Sequence, residues 1–453
     1  MKKQNDLGRD PVRPLVWRIA FPSMLAQFVS VLYSIVDRIY ISNIPVTGET
    51  ALAGVGVCGP VVTMLGAFAF LVGVGGAPLM SINMGAGRPE EARRILANSF
   101  LVLCVCALVL TAAVYPLRRP MLMFFGASDV TYPYAEEYFS IYLAGTAFNL
   151  LSLGMNQFII SQGFAKKGMF SVVLGAALNI VLDPLFIFVF DMGVAGAALA
   201  TVISQLASCV YVLCVLFGKK VPVRIGFGGY SMRLIGRILL TGISPFLIIF
   251  VDSVMIISMN AVLQSYGGPE LGDRLITCAT IAQSFMLVVT MPLGGISSST
   301  QTILSFNYGA RRTDRVREAQ KRVFVLCAVY TGLMTLIAWT GGGAFARLFT
   351  ADGGIAEQAV WAIRVCSLAL LPLGIQYEIV DGFTALGQVR YSLPLSFWRK
   401  LVYFVALFAL PAAFGARAAF FAEPVSDVLG PAVSIAVYLL GIRRILERRG
   451  SRP

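Results

Sequence analysis

The sequence predicts an all-α membrane protein whose twelve transmembrane helices form two pseudo-symmetric six-helix lobes. Three observations predict it. The chain is 57% hydrophobic and only 13% charged, with a mean hydropathy of +0.79. Its apolar residues fall into runs long enough to cross a bilayer. Sequence landmarks of the first half recur in the second. A soluble domain carries about 25% charged residues, so most of this chain is solvated by lipid.

The spans come first. A helix needs roughly 20 apolar residues to cross the hydrocarbon, and helices are the only open-ended element that satisfies its own backbone there. Runs meeting that length lie at 15–42, 51–82, 95–116, 135–162, 169–190, 193–217, 234–263, 274–304, 320–343, 356–387, 391–414 and 419–445. Pro22, Pro60, Pro245, Pro292 and Pro372 sit inside them and predict kinks or tilt. The polar, basic start from Met1 to Arg13 shows no cleavable signal pattern.

Charge sets the expected orientation. The net charge is +13, and in a soluble protein that excess points to nucleic acid. Here the basic residues alternate between connections. One side holds the N-terminus; Arg88, Arg93 and Arg94; Lys166 and Lys167; Lys219, Lys220, Arg224, Arg233 and Arg237; Arg311 to Arg322; Arg390, Arg399 and Lys400; and Arg443 to Arg452. The other side holds chiefly Arg118, Arg119, Arg274, Arg347 and Arg417. The positive-inside rule then puts both termini in the cytoplasm, in a multi-pass protein of the plasma (inner) membrane. One missed span would invert the rest of the pattern, so the alternation supports an even count. No nucleic-acid partner is expected, and the chain is expected to act as a monomer.

The basic loop 218–233 divides the chain, giving lobes at 1–225 and 226–453. Pro22 and Pro245 open the first span of each, and Gly85-Ala86 and Gly309-Ala310 close the second. Leu151-x-Leu-Gly154 is echoed by Leu371-x-Leu-Gly374. Both halves start on the same side, which makes this a parallel repeat, as in alternating-access transporters.

The eight cysteines, Cys58, Cys104, Cys106, Cys209, Cys214, Cys278, Cys327 and Cys366, share no spacing, and there is no histidine. Neither a zinc site nor a disulfide framework follows. Gly73-Val-Gly75-Gly76 lacks a following Lys-Ser/Thr, so close helix packing explains it better than a phosphate loop. The Phe68–Phe70 and Leu185–Phe190 runs read as packing or lipid-facing surface. With no Walker motif and no nucleophile elbow, neither an ATP-driven pump nor an enzyme is expected.

Ionisable groups inside the bilayer are costly and mark pathways or coupling sites. In the first half they are Asp37 and Asp183, with Asn179 one turn before Asp183 on the same helix face and Thr201 on the next helix. At 1.5 Å per residue these groups lie roughly 9, 10 and 12 Å below the outer ends of their spans for Asp37, Asp183 and Thr201. Carboxylates, an amide and a hydroxyl at one depth are hard oxygen donors suited to Na+ or to a shared proton. Asp183 before Pro184 also reads as a cap or kink, and Asp37 before Arg38 as its counter-ion. The second half differs. Asn260 takes the place of Asp37, and Asp252, Asn260, Gln283, Glu378 and Asp381 are candidates for a substrate cavity or gate. Glu378 and Asp381 read equally well as partners for Arg364, Arg390 or Arg399.

These residues carry a family resemblance. Val36-Asp37-Arg38-Ile39-Tyr40-Ile41, Asn83-Met84-Gly85-Ala86-Gly87 and Leu178-Asn179-Ile180-Val181-Leu182-Asp183-Pro184 are its first-half stretches. The last of these runs on through Gly193, Gly196, Ala197, Ala198 and Ala200 to Thr201. Met291-Pro292-Leu293-Gly294-Gly295, Gln301, Asn307-Tyr308-Gly309-Ala310 and Glu423-Pro424-Val425-Ser426-Asp427 are those of the second. Over nearly its whole length the chain resembles multidrug and toxic compound extrusion (MATE) transporters, in particular their DinF-like prokaryotic branch. The resemblance implies two lobes in a V around a central cavity. It implies export of small organic, often cationic and amphiphilic compounds in exchange for Na+ or H+, with no other cofactor. Asp37, Asn179, Asp183 and Thr201 would hold the coupling ion, as metal ligands if that ion is Na+. Second-lobe acids serve the ion in another branch, but the span 10 match here is poor. The rival reading is a lipid-linked precursor flippase of the same superfamily, since fold does not fix substrate. A receptor or channel is disfavoured by the two-fold repeat.

Overall fold

The computed structural model describes residues 5–45, 47–125, 127–350 and 352–450. Every regular element among them is helical. In chain order these are α1 (Val12–Ser42), α2 (Gly48–Gly85), α3 (Pro89–Phe124), α4 (Tyr132–Ala144), α5 (Thr146–Ile160), α6 (Ala165–Pro184) and α7 (Gly193–Phe217). Then come α8 (Met232–Gly268) and α9 (Arg274–Gly309), parted at Gly268, whose φ of 67° no helix allows. The rest are α10 (Thr313–Arg347), α11 (Gly353–Cys366), α12 (Leu370–Ala385), α13 (Val389–Phe414) and α14 (Ala422–Gly450). Among the described residues ten helices are each long and apolar enough to cross a membrane, and counting each of two bent pairs as one span raises the number to twelve. This is a multi-pass membrane protein. The eight cysteines are free thiols.

The bent pairs occupy the fourth span of each half, where single helices were expected. α4 and α5 meet at 56°, and α11 and α12 at 49°. In the first half the break falls at Gly145, where a Cβ would lie 2.6 Å from Val202. The missing side chain lets α7 approach the broken backbone.

The repeat is visible as hydrogen bonds. Ser81 Oγ donates to the Ser161 carbonyl at 2.8 Å, and Ser305 Oγ to the Ala385 carbonyl at 2.8 Å. Asn83 Nδ2 donates back to Leu79, and Asn307 Nδ2 back to Ile303. Positive φ recurs at Gly87 and Arg311, and at Gly163 and Gly387. All these pairs are 224 residues apart (81 to 305, 161 to 385). The Leu-x-Leu-Gly echo, at an offset of 220, is therefore one helical turn out of register. A four-residue slip keeps a side chain on nearly the same helix face, so a short motif can match at the wrong turn. The true counterpart of Gly154 is Glu378.

The chain separates into two compact units, one of Met1–Asp10 with Phe21–Phe250, the other of Pro11–Ala20 with Val251–Pro453. Within the first, α2 is the packing axis, and its glycines do what close packing predicts. A Cβ on Gly73 would meet the Gly154 carbonyl at 2.8 Å, and one on Gly75 the Ile238 carbonyl at 2.3 Å. A Cβ on Gly242 would come within 1.7 Å of the Leu71 carbonyl. Backbone thus lies directly on backbone where α2 crosses the opening turns of α8. The loop after α7 is tied to the same unit: Asn98 Nδ2 donates to the Gly229 carbonyl and Asn98 Oδ1 accepts from the Ser231 amide.

The second unit holds a buried set of charges. Arg399 on α13 pairs with Asp427 on α14 at 2.7 Å, their side chains 12% and 0% exposed. Next to it Lys400 pairs with Asp252 on α8. Both pairs tie α13 to a neighbouring helix; in the buried Arg399–Asp427 pair each partner depends on the other, whereas Asp252 is 48% exposed beside the buried Lys400.

Two stability measurements check these contacts. Gly242→Ala should lower the thermal midpoint of the detergent-purified protein, by about 1–3 kcal/mol of overpacking strain. Gly236→Ala, built into open space on the same helix, should not, and equal midpoints for the two would refute the crossing. Arg399→Met strands the Asp427 carboxylate and should cost roughly 3–5 kcal/mol, with much of it recovered in Arg399→Met/Asp427→Leu. An Arg399→Met protein as stable as the parent would show the pair to be inconsequential.

Candidate cation site

The site begins as one face of α6. Ser171, Gly175, Asn179 and Asp183 recur every four residues, so they stack along a single stripe. Their small size lets α7 pack closely. Ser208 Oγ donates to the Ser171 carbonyl at 2.9 Å, and a Cβ on Gly175 would meet Ser208 Oγ at 2.5 Å. That approach carries Thr201 of α7 to the other end of the stripe, where Asn179 Nδ2 donates to both Asp183 Oδ1 (3.0 Å) and Thr201 Oγ1 (3.4 Å).

Pro184 then removes a helical amide donor, and the chain widens into one π turn over Leu185–Val189. The Phe190 amide closes it on the Leu185 carbonyl at 2.9 Å. Such wide turns interrupt the regular ladder beside functional groups. The reading of Asp183 as a residue at a helix distortion is thus right, and so is its reading as a buried acid. Gly196 lets α7 rest on the turn, since a Cβ there would meet the Phe186 backbone at 2.8 Å.

α1 contributes Asp37, whose carboxyl neighbours that of Asp183. Asp183 and Asn179 are 0% and 2% exposed, and Thr201 and Asp37 are half-buried. All four first-half residues singled out from the sequence therefore meet. Three of their oxygens, Asp37 Oδ1, Asp183 Oδ2 and Asn179 Oδ1, are buried with no hydrogen-bond donor among the described residues. A buried acceptor left unpaired is expensive. A proton between the two carboxylates, or a small cation ringed by the carboxylates, the amide and the hydroxyl, would satisfy them. The residues present fit either.

Sequence reasoning missed the tyrosines around this cluster. Tyr33, one turn before Asp37, is close enough to feel both carboxylates. Tyr138 lies near Thr201, and Tyr142 lies near Gln205 and accepts from Asn149 Nδ2 at 2.8 Å. The rings of Tyr138 and Tyr142 stack 6.3 Å apart. Their signal was available as spacing: Tyr33 and Asp37, Tyr138 and Tyr142, and Thr201 and Gln205 are all four apart.

The second-half candidates fall into different surroundings. Glu378 on α12 is 1% exposed, and neither of its oxygens has a hydrogen-bond donor among the described residues. One turn on, Asp381 accepts from the Ser297 hydroxyl of α9 and is within reach of Gln301. None of the arginines considered as partners takes them. Arg399 is engaged with Asp427, Arg364 lies over Trp339, and Arg390 lies over Tyr391. Asp252 is held by Lys400, while Asn260 and Gln283 are half-buried and make no hydrogen bond to these acids.

The offset of 224 shows how unequal the halves are. Asp37, Asn179, Asp183 and Thr201 correspond to Ala261, Tyr403, Leu407 and Val425, so the first cluster has no carboxylate copy, and Asn260 lies one residue off the place of Asp37. Glu378 and Ser297 correspond to Gly154 and Gly73, the close glycine crossing of the first unit. Each half carries acids where the other carries packing.

The comparisons with known proteins agree with the repeat. The MatE family model matches the chain twice, at residues 22–185 and 246–409. These segments start 224 residues apart, at the offset of the shared hydrogen bonds. The multidrug export protein MepA of Staphylococcus aureus is 24% identical over 443 residues, covering 97% of this chain and 96% of that protein. Among solved structures, an outward-facing multidrug resistance MATE family transporter of the MOP superfamily superposes with a TM-score of 0.90 at 23% identity. It covers 99% of this chain and 100% of that one. A MOP superfamily transporter from Pyrococcus furiosus, described as having a binding pocket of reverse polarity, gives 0.90 at 24%, over 98% and 100%. With its family model matched in both halves, the chain belongs to the MatE family of multidrug efflux transporters.

Proposed function

We propose that this chain is a secondary antiporter that exports small organic cations in exchange for Na+ or H+, with the Asp37–Asp183 cluster as the coupling site. The single observation that carries the reading is the set of three buried, unpaired oxygens shared by Asp37, Asn179 and Asp183. Two neighbouring carboxylates in a low dielectric repel each other when both are ionised, so binding one positive charge relieves the site. Asn179 holds the Asp183 carboxylate in place through its amide, and Thr201 adds a hydroxyl.

The cargo follows from charge balance. Asp252 and Asp427 are offset by Lys400 and Arg399, whereas Glu378 and Asp381 have no basic partner among the described residues. The remaining in-membrane charge is mostly acidic, and it favours a cationic amphiphile over an anionic lipid pyrophosphate. The alternation of basic connections supports both termini on the cytoplasmic side of the plasma membrane. The chain works alone, with the coupling ion in place of a cofactor and without enzymatic chemistry.

Purified protein in liposomes, with a fluorescent cationic dye and Na+ and pH gradients imposed separately, tests this. The parent should move dye against one gradient. Asp183→Asn and Asp37→Asn should fall to the rate of protein-free liposomes while retaining membrane insertion. Undiminished gradient-driven efflux by Asp183→Asn would overturn the assignment, and no dye movement by the parent under either gradient would favour the flippase reading. Asn179→Ala should raise the coupling-ion concentration for half-maximal efflux roughly tenfold, as loss of a ligand-orienting partner does elsewhere, with the maximal rate little changed. An unaltered ion dependence would remove Asn179 from the site.

A further inference from the structure

The first turns of α10 and the last turns of α14 line a cleft of about 680 Å³. Arg317 and Lys321 stand one turn apart on α10 and face Arg443 of α14 across it. Below them the lining turns apolar, with Phe324 and Val325 on α10 and Ile442 on α14. The change of character continues beyond the cleft. Val325, Val329, Leu333 and Leu336 run down α10 as exposed apolar side chains, and Leu439 and Leu440 do so on α14. The cleft thus sits where two helices leave the hydrocarbon, with positive charge at the top and a lipid-facing stripe below.

Its charge is specific. Glu447 also lines the cleft and pairs with Arg443 at 2.7 Å, so those two offset each other. Arg317 and Lys321 have no ion-pair partner among the described residues, which leaves the cleft two positive charges in excess. Its inner wall is preformed. Tyr438 is anchored by its hydroxyl to Gln320 Oε1 at 3.1 Å, and its ring is held edge-on by Phe324 and Phe383.

A soluble anion would use only the top of this cleft. An amphiphile with an anionic head would use all of it. We propose that the cleft binds the phosphate of an anionic phospholipid, with Arg317 and Lys321 on the headgroup and the acyl chains along the α10 and α14 stripe. Basic pockets between membrane helices hold anionic headgroups on these terms. The proposal depends on the proposed orientation only for naming the leaflet, the cytoplasmic one. It does not depend on ion coupling or on cargo.

Native mass spectrometry of the delipidated protein in neutral detergent tests it, with no ion gradient or substrate present. The parent should retain phosphatidylglycerol at about tenfold lower concentration than phosphatidylcholine, the scale set by one or two interfacial basic contacts. Arg317→Gln/Lys321→Gln should lose that preference at an unchanged thermal midpoint, and the charge-preserving Arg317→Lys/Lys321→Arg should keep it. Lys219→Gln/Lys220→Gln, which removes equal charge from another basic connection, should also keep it. Equal retention of the two lipids by the parent would overturn the proposal. So would a Lys219/Lys220 variant as impaired as the cleft variant, which would mean diffuse charge. Displacement of phosphatidylglycerol by glycerol 3-phosphate at matched concentration would also overturn it, since the site would then be one for a soluble anion.

Discussion

In hydrocarbon, an unpaired polar group has no water to turn to. That constraint shapes this protein at every level. It forces the backbone into helices, whose amides and carbonyls satisfy one another. It makes seryl and threonyl hydroxyls donate to carbonyls, as Ser81 does across to Ser161 and Ser305 to Ala385. It also makes every buried charge a commitment. Arg399 and Asp427 answer each other, and Lys400 answers Asp252. Among the buried polar atoms left without a partner are the oxygens of Asp37, Asn179 and Asp183, and those of Glu378.

Helices that cannot be driven together by water must approach by shape. Glycine supplies that shape at the crossings that matter. Gly75 and Gly242 let α2 and α8 touch backbone to backbone, and Gly175 and Gly196 seat α7 on α6 and on its π turn. The Asp37–Asp183 cluster depends on the second pair of contacts. Without them Thr201 would not reach Asn179. The site is therefore a product of close packing as much as of its charged residues.

The repeat gives the two halves the same hydrogen bonds and the same turns, yet the acids do not follow it. Leu407 stands where Asp183 would be copied, and Gly154 stands where Glu378 would be. A duplicated scaffold has thus been charged at two non-equivalent places. In the first half the acids lie beside a π turn at the end of α6. In the second they lie inside the α9–α12 crossing, within reach of Ser297 and Gln301. The asymmetry is consistent with a division of labour between the proposed coupling site and a second acidic position.

Much of this was legible in the sequence, because lipid imposes a length and a composition that can be read residue by residue. The twelve spans, the repeat, and the first-half residues Asp37, Asn179, Asp183 and Thr201 all followed from hydropathy, spacing and depth. Depth along a helix is arithmetic, so residues on three helices could be placed at one level. Which faces meet at that level is not arithmetic. Rotation and crossing are set by side-chain shape, and so only the tertiary structure brought Tyr33, Tyr138 and Tyr142 around the cluster. For the same reason it broke the fourth spans at Gly145 and before Leu370, and it chose Asp427 rather than Glu378 or Asp381 as the partner of Arg399. It also set the repeat one turn away from the Leu-x-Leu-Gly echo, since a helix looks nearly the same after four residues and only its contacts tell the turns apart.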